Sequence, residues 1–459
     1  MKSAHDAVQR PRGARLLVVD ARGHLTHMPR ALFADVLRPG DLVIANDAAT
    51  LPASLHGWTS VGHPFRGAGV FRGAEEIEVR LAGRSTLEDV REFVAVVFGA
   101  GDYRTRTEDR LLPPPLAVGD RLTFPALTAR VEAVLGHPRL LRIRFDGTPD
   151  AIWNGLARHG RPIQYAHLPA PLALWDVWTP IAAQPAAFEP PSAGFVLDWR
   201  SIGALRDRGV AFATVTLAAG ISSTGDPDLD RRFPLDEPYR IPESTAASIR
   251  GAQERGGRII AIGTTVVRAL EHAAARDGAV HAGDGVATQR LGRDSRLRVV
   301  DAILSGTHEP GTSHYQLLRA FVPDAVLSAA DAALEAEGYF THEFGDSIFI
   351  ERSEPRCILV APAGHEDSER PLDIDYGDCC GGAGWRGLSC DHPQGRRGAA
   401  ADRPAGRAGR SEPGHLGRHR VRSLQGRVHR RRHQVHARDD RPPRAGGGDG
   451  RPGPVAHPP

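Results

Sequence analysis

The segment RIIAIGTTVVRALEHA joins an apolar run directly to a helical pattern through a single glycine, Gly263. The apolar run predicts a buried strand, and Thr264 or Thr265 is expected to cap the helix that follows. Such a junction aims free backbone N–H groups, a helix dipole and two hydroxyl groups at one point, which suits a carboxylate or a phosphate. The alternative is an ordinary helix start, with Arg268 and Glu271 forming only a surface pair.

A second junction of this kind lies in the segment LSGTHEPGTSHYQLL. His308 precedes a Glu-Pro-Gly turn, and Thr312 or Ser313 is expected to cap the next helix. His308 could accept a proton or bind a substrate group, because its imidazole titrates near neutral pH. A histidine in a loop can equally be structural or solvated.

Two further loops could supply polar contacts. Asp346 lies beside Gly345 at the start of the apolar run SIFI, where its carboxylate could bind ribose hydroxyls or a cationic amine. The proline-rich loop QPAAFEPPSAG ends at Gly194, where the missing Cβ would let the backbone approach a flat ligand. The alternatives are a simple turn in the first case and an ordinary loop before a helix in the second.

Arginines that could contact RNA phosphates occur in three places. Arg142 and Arg144 share one face of a predicted strand, Arg104 and Arg106 lie in a loop, and several more form the run RLGRDSRLR at residues 290–298. Exposed arginines are most often simply solvated, so these positions permit RNA binding without requiring it.

These residues must be positioned by two kinds of structure. Strand, loop and helix alternate after residue 150 and before residue 60, which is typical of an α/β layer. Between residues 62 and 147, closely spaced β-rich runs separated by Pro and Gly predict a small inserted all-β, barrel-like domain. The predicted divisions are residues 12–60 and 149–353 for the α/β main domain, 61–148 for the insert and 364–459 for a disordered C-terminal tail.

The composition of the 459 residues, 41% of them hydrophobic, indicates a globular protein with a sizeable core. The four cysteines all follow residue 356, so the body has no disulfide framework, and their spacing does not predict a metal site. No N-terminal targeting segment and no apolar run of membrane-spanning length is evident, and the expected location is cytoplasmic.

Charge is distributed unevenly along the chain. Residues 386–459 hold 17 arginines against six acidic residues, so residues 1–385 carry a net charge of −8 although the whole chain carries +3. Any RNA contact of the body must therefore use local basic patches. The Arg/Gly/Pro-rich tail cannot bury enough apolar surface to fold. It is either an RNA-binding tail or the translation of a wrong reading frame.

Taken in order, these segments resemble the S-adenosylmethionine:tRNA ribosyltransferase-isomerase family of queuosine biosynthesis. The matching motifs are RLLVVD, LRPGDLVIANDAATLPASLHG, RHG, PSAG, RGGRIIAIGTTVVRALE, LRVVDAILSGTHEPGTS and HEFGDSIFI. The resemblance implies a monomeric protein that uses S-adenosylmethionine as co-substrate, needs no metal and acts on tRNA. It implies no membrane as a partner. Members of this family move the ribosyl moiety of S-adenosylmethionine to preQ1 in tRNA, which gives epoxyqueuosine and releases adenine and methionine.

The resemblance also assigns roles to residues. It places His308 and Asp346 at the site without settling which residue is the catalytic base, and we expect His308 as the first candidate and Asp346 as the second. The residues it places at the ligand site are Gly263, Thr264, Thr265, Arg268, Glu271, Ser192, Gly194, Asn46, Asp47 and His159.

This chain departs from the family pattern at several polar positions. Ala49 and Ser54 stand where the family usually has arginine, Val196 replaces a histidine and Gly311 replaces a lysine. Two alternatives to the family reaction follow: a divergent transferase that uses S-adenosylmethionine with another acceptor, and a catalytically silent RNA-binding paralogue.

Overall fold

The computed structural model describes residues 2–59 and 74–353. The predicted disordered tail and all four cysteines lie outside the described residues. So do residues 60–73, which contain the predicted start of the inserted domain. None of the described helices is both long enough and apolar enough to cross a membrane.

The strands fall into one large sheet, one barrel and two short pairs. In chain order they are β1 (Lys2–Ser3), β2 (Arg15–Val19), β3 (Leu25–Pro29), β4 (Leu42–Asn46), β5 (Ala48–Thr50), β6 (Ser54–Thr59), β7 (Glu75–Gly83), β8 (Glu92–Phe98), β9 (Arg121–Thr123), β10 (Thr128–His137), β11 (Leu140–Phe145), β12 (Gln184–Ala187), β13 (Ala211–Leu217), β14 (Glu237–Ile241), β15 (Ile259–Ile262), β16 (Gly283–Ala287), β17 (Ala302–Gly306), β18 (Phe340–Thr341) and β19 (Ser347–Glu351).

The helices connect or flank these strands. The α-helices are α1 (Pro149–His159), α2 (Leu174–Val177), α3 (Trp199–Asp207), α4 (Pro227–Asp230), α5 (Glu243–Glu254), α6 (Thr264–Ala273), α7 (Ser313–Leu318) and α8 (Asp324–Ala336). Three 3-10 helices span Arg30–Val36, Thr107–Asp109 and Ser192–Val196.

The large sheet has nine strands in the order β16-β14-β13-β4-β15-β17-β19-β2-β3. Its centre, β13-β4-β15-β17, is parallel. β14 runs antiparallel to β13, and β19 runs antiparallel to β17 but parallel to β2. The carboxyl ends of the four parallel strands therefore meet at one edge. The starts of β14 and β19 lie at the same edge, which is where α/β sheets usually bind ligands.

Both faces of this sheet are buried, and the sequence shows why. Leu42 and Ile44 pack into one core cluster with residues of α5, α6 and α8, whereas Val43 and Ala45 pack into another with residues of α3 and the 3-10 helix Arg30–Val36. Helices on both faces require nearly continuous apolar strands, which LVIA and IIAI supply. The predicted α/β main domain is confirmed.

The inserted strands close into a six-stranded barrel in the order β10-β11-β8-β7-β6-β9. Its interior is filled by apolar side chains, among them Phe93, Phe98 and Phe145. The predicted barrel-like domain is therefore confirmed. The barrel begins at Ser54, before the predicted boundary at residue 61, because β6 pairs with both β7 and β9.

Candidate active site

The turn between β15 and α6 is built around Gly263, whose φ of 95° and ψ of 149° suit glycine alone. Gly263 itself occupies the N-cap position, and no side chain caps α6. The expected cap at Thr264 or Thr265 is therefore wrong. The chain passes from β15 into α6 through this backbone conformation, which glycine adopts readily, so glycine occupies the N-cap position. Thr264 is buried and Thr265 is partly exposed in the first helical turn, at the carboxyl edge of the sheet.

The loop that carries Ser192 and Gly194 lies against this turn. A Cβ built on Gly263 would be 3.6 Å from the Cβ of Ala193, so the two glycine-containing segments lie close together. At Gly194 a Cβ would come within 3.1 Å of Thr179 Cγ2. A side chain at this position would crowd Thr179, which explains why the residue is glycine. Ser192 is partly exposed at the start of the 3-10 helix.

His308 follows β17 at the same edge and belongs to a histidine pair. Its Nε2 lies 3.1 Å from Ser305 Oγ and 3.4 Å from Nδ1 of His314, and the two rings meet edge to face at 4.5 Å. Removal from water keeps the pKa of His308 well below its usual value, and His314 and His342 lower it further. The imidazole is therefore neutral at neutral pH. Thr312 caps α7, as the sequence predicts.

A group of carboxyl and phenol side chains lies among three loops that aromatic contacts hold together. Phe195 stacks on Phe344 with ring centroids 5.4 Å apart, and His167 stacks on His342 at 4.9 Å. These contacts tie together the loops that carry the acidic trio, which we define as Tyr165, Glu189 and Glu343. Within the described residues, the Tyr165 hydroxyl and Glu343 Oε2 have no hydrogen-bond partner outside the trio.

The environment of the acidic trio favours its neutral forms. Burial, and next the nearby Glu343 carboxylate, raise the pKa of Glu189 to about 8, against the N–H that Ser222 donates at 3.0 Å. Burial also raises the pKa of Glu343 and holds that of Tyr165 well above its usual value. Like charges this close do not ionise together, so at least one carboxyl retains its proton at neutral pH.

Asn46 and Asp47 lie at the end of β4, in the sheet edge itself. Asn46 Oδ1 accepts bonds from the N–H groups of Ala48 and Leu217, both at 3.0 Å. The Asp47 carboxylate accepts from the hydroxyl groups of Thr214 and Thr216 at 2.8 and 2.7 Å. Both side chains thus fasten β4 to β13, and Asp47 is the one that stays partly exposed.

Arg268 and Glu271 are buried in α6 rather than paired on the surface, so the surface-pair interpretation is wrong. Arg268 donates to Glu237 Oε2 at 2.5 Å and to three backbone carbonyl groups. Glu271 accepts three backbone N–H groups of residues 298–300. Each side chain fixes α6 to a neighbouring loop, and neither has a donor or acceptor turned toward Gly263.

Asp346 is engaged at the start of β19. Its Oδ1 accepts the Arg15 N–H at 2.7 Å, and its Oδ2 accepts the Phe340 N–H at 2.9 Å and lies 3.2 Å from the Arg15 guanidinium. The carboxylate thus joins β2, β18 and β19. His159 is exposed at the last residue of α1, where the structure gives it no polar contact with other described residues.

Three of the four positions that depart from the family pattern are engaged in contacts within the protein. Ala49 pairs with Pro185 in the short sheet of β5 and β12, and Val196 packs into the core cluster beside α3. Ser54 donates to Glu78 Oε1 at 2.8 Å, and Glu78 also binds the guanidinium groups of Arg80 and Arg110. Gly311 adopts a φ of 96° in the turn before α7.

Sequence reasoning missed Tyr165, Glu189, Glu343, His314 and His342. A signal was present for two of them, since Glu189 and Glu343 are acidic residues inside the apolar and proline-rich segments that carry Gly194 and Asp346. Their convergence depends on contacts between residues far apart in the chain, which no local pattern encodes.

Comparison with known proteins identifies the family of this chain. A family model described as queuosine biosynthesis protein matches residues 1–350. The S-adenosylmethionine:tRNA ribosyltransferase-isomerase of Citrifermentans bemidjiense is 33% identical over 358 residues, covering 75% of this chain and 95% of that protein. The protein of the same name from Sorangium cellulosum is 34% identical over 366 residues, covering 74% and 92%. A crystal structure of S-adenosylmethionine tRNA ribosyltransferase from Thermotoga maritima covers 76% of this chain and 95% of its own, at 21% identity and a TM-score of 0.39.

The resemblance drawn from the ordered motifs is confirmed by these matches. They span both parts of the α/β domain and the barrel between them, together with the glycine turn, the Ser192 loop and His308. The chain belongs to the queuosine biosynthesis protein family.

Proposed function

We propose that this protein is a tRNA-modifying transferase and isomerase, which moves the ribosyl moiety of S-adenosylmethionine to preQ1 in tRNA. The products are epoxyqueuosine in tRNA, adenine and methionine. Relatives that carry the name of this activity align over 92–95% of their own length. S-adenosylmethionine is a co-substrate in this proposal, no metal takes part, and the protein acts on tRNA in the cytoplasm as a monomer.

The observation that carries the proposal is the close approach of the Gly263 turn to the Ser192–Val196 loop at the carboxyl edge of the sheet. The uncapped first turn of α6 offers backbone N–H groups and the positive end of a helix dipole. These groups suit the methionine carboxylate of S-adenosylmethionine. Thr264, Thr265 and Ser192 add hydroxyl groups beside it, and Asp47 lies at the end of the adjacent strand.

The reaction needs one group that accepts a proton and one that supplies a proton. The base removes a proton from the ribose carbon bonded to sulfur, and the electron pair forms a double bond to the next ring carbon as the bond from that carbon to the ring oxygen breaks. The ring oxygen uses the freed pair to form a carbonyl at the carbon that held adenine, and adenine leaves with the electrons of its glycosidic bond and takes up a proton. The acceptor amine adds to the double bond and loses a proton, and the carbanion thus formed beside sulfur bonds to the carbonyl carbon. The resulting alkoxide displaces methionine as a neutral thioether and closes the epoxide.

His308 and Glu189 fit these two roles. A neutral imidazole accepts a proton, and the low pKa of His308 keeps it neutral at neutral pH. Glu189 carries a proton near neutral pH and can donate it to the departing adenine. Asp346, the alternative base, already accepts bonds from Arg15 and Phe340 with its two oxygens. We therefore propose His308 as the base and Glu189 as the acid.

Adenine release from S-adenosylmethionine, measured with preQ1-containing tRNA, tests the proposal. His308→Ala should lower kcat by a factor of about 10² to 10⁴, the usual contribution of a general base. Unfolding temperature and circular dichroism should show that the variant is folded. His281→Ala, which removes an exposed histidine paired with Asp277, is the matched control and should retain full activity.

Other outcomes separate the alternatives. If the wild-type protein releases adenine only with a different acceptor, it is a divergent transferase. The polar groups usual in the family that are missing at Ala49, Ser54 and Val196 would then account for the changed acceptor. Wild-type protein that binds tRNA but releases no adenine with any acceptor would be a silent paralogue. Full activity of His308→Ala would exclude His308 as the base.

A further inference from the structure

A second pocket, away from the Gly263 turn, opens between the barrel and the large sheet. It has a volume of about 400 Å³ and is lined from the barrel side by Arg84 and Arg142 and from the sheet side by Arg232 and Arg290. Glu92 and Asp236 also line it, so the four guanidinium groups exceed the carboxylates by two positive charges. A concave site with an excess of positive charge attracts anions.

Arg84, the residue directly after β7, indicates what kind of ligand this pocket binds. Its side chain is only 3% exposed, yet Nε, Nη1 and Nη2 have no hydrogen-bond partner anywhere in residues 2–59 and 74–353. Burial lowers the pKa of Arg84 to about 10, although the nearby Glu88 and Asp89 carboxylates oppose this. Burying a charged guanidinium without partners is strongly unfavourable, so its retention in a pocket indicates an anionic ligand.

The other arginines are held in place by backbone carbonyl groups. Arg232 donates to Leu135 and Gly136 of the barrel at 2.8 and 2.7 Å. Arg290 donates to the carbonyl groups of Arg231 and Arg232, the first at 2.9 Å. Both cations are therefore fixed at the pocket wall before any ligand arrives, which lowers the entropic cost of binding.

The rim of the pocket continues along the barrel surface. Arg142 is 45% exposed, and Arg144 on the same strand face is 43% exposed, with Glu92 at 3.5 and 3.8 Å from them. A free anion needs only the buried Arg84, whereas a row of exposed arginines leading outward suits consecutive phosphates of a nucleic acid. Arg142 and Arg290, which the sequence singled out separately as RNA contacts, meet at this one pocket.

We infer that this pocket binds a phosphate group of the tRNA backbone, with Arg84 as its central ligand. The inference rests on the proposed function, because that function supplies the tRNA. Guanidinium groups bind phosphate through paired, charge-assisted hydrogen bonds, and the three free nitrogens of Arg84 provide such a donor set. The pocket wall also reaches the active-site helix, because Arg268 of α6 donates to the Leu235 carbonyl at 3.2 Å.

The test measures binding of full-length protein to preQ1-containing tRNA by fluorescence anisotropy at several salt concentrations. Arg84→Met should weaken binding about tenfold or more, because a charge-assisted contact is lost. The slope of log affinity against log salt should become shallower by about one unit. Arg276→Met is the matched control, since it removes the same charge from a residue whose side chain is 85% exposed.

A second measurement separates binding from a structural role. Without ligand, Arg84→Met should unfold at the same temperature as wild type or higher, since an unpartnered buried charge is removed. Inorganic phosphate should raise the unfolding temperature of wild type more than that of Arg84→Met. If Arg84→Met does not fold, Arg142→Gln at the exposed rim should still weaken tRNA binding two- to fivefold.

The outcomes are distinguishable. Equal tRNA affinity and salt dependence in Arg84→Met and Arg276→Met would overturn the inference. Protection by inorganic phosphate that depends on Arg84, with unchanged tRNA affinity, would reject tRNA as the source of the phosphate. Arg84-dependent tRNA binding by wild-type protein that releases no adenine would refute the proposed function and leave this pocket in place.

Discussion

Two acidic residues near the carboxyl edge of the sheet have different roles because their surroundings differ. Asp346 accepts backbone N–H groups from Arg15 and Phe340 and lies beside the Arg15 guanidinium, so both of its oxygens are used to hold the strands together. Glu189 accepts one N–H from Ser222 and faces Glu343, which favours its protonated form. One sheet edge thus holds a carboxylate that organises the strands and a carboxyl group able to donate a proton.

Glu189→Gln tests this difference at the level of one residue. The amide keeps the size and neutrality of the protonated acid but cannot donate a proton to adenine, so kcat should fall by a factor of about 10² to 10⁴. In wild type, kcat should decline as the pH rises through about 8, because the acid is then ionised. The measurement is the pH dependence of adenine release for both proteins.

The Glu189→Gln substitution is also expected to change how the stability of the fold depends on pH. A carboxyl whose pKa is raised in the folded state stabilises the fold fully below the pKa of the unfolded chain, and this contribution is lost as pH rises through the folded value. Wild-type unfolding temperature should therefore fall between about pH 4.5 and about pH 8 more steeply than that of Glu189→Gln. Parallel stability curves and an unchanged alkaline limb of kcat would exclude a protonated Glu189.

At the scale of elements, the strand, the glycine turn and the helix at Gly263 were predictable from sequence, because each follows from local patterns. The strand is a four-residue apolar run bounded by Arg258 and Gly263, and the helix follows in the 3.6-residue pattern. The cap was wrongly assigned to threonine because Gly263, with a φ of 95°, is the residue that precedes the first helical turn, and capping propensity does not specify this dihedral angle.

Gly263→Ala tests whether this turn is strained for other residues. A Cβ at φ 95° and ψ 149° is expected to cost about 1–3 kcal/mol of stability, although the space beside it is open to within 3.6 Å of Ala193. S-adenosylmethionine affinity should fall as well, since the first turn of α6 would shift. Chemical denaturation and isothermal titration calorimetry measure the two effects.

Gly203→Ala is the matched control within α3. A Cβ there meets nothing within 4 Å, and the residue lies in a regular helix, so stability should rise by about 0.5–1 kcal/mol. If Gly263→Ala were as stable as Gly203→Ala, the turn would not require glycine. Loss of stability without loss of ligand affinity would separate the fold of the turn from its proposed role.

Contacts between elements set the limit of sequence prediction. The acidic trio joins loops around residues 165, 189 and 343, and the stacks of Phe195 on Phe344 and of His167 on His342 determine their approach. Arg268 and Glu271 show the same limit, because their spacing suggested a surface pair whereas their partners lie in β14 and in residues 298–300. Periodicity specifies which face is buried but not which buried polar groups meet.

At the scale of the whole molecule, polar contacts of arginines with β10 and with the segment after β7 join the barrel and the large sheet. Arg232 binds the carbonyl groups of Leu135 and Gly136, and Arg240 of β14 pairs with Glu88 beyond β7. The two proposed sites lie at different places in this arrangement. The active site lies at the sheet edge, and the arginine pocket lies where barrel and sheet meet.

The described fold and the family match end close together in the chain. The family model stops at residue 350, and β19 ends at Glu351, hydrogen-bonded between β17 and β2 inside the sheet. Every residue assigned to the proposed reaction precedes β19. Residues 354–459 hold 19 arginines against 13 acidic residues, so their removal changes the net charge by six units.

A chain ending at Ser353 is therefore expected to release adenine with the kcat of the full-length protein and to unfold at the same temperature. Only the KM for tRNA should rise, and mainly at low salt, if the removed arginines attract phosphate without specific contacts. A chain ending at Gly345 is the control, since it lacks β19 and leaves β17 and β2 without the partner between them. It should not fold, because an internal strand of the sheet is missing. A fall in kcat for the chain ending at Ser353, at saturating tRNA and unchanged unfolding temperature, would contradict this assignment and place part of the chemistry beyond residue 353.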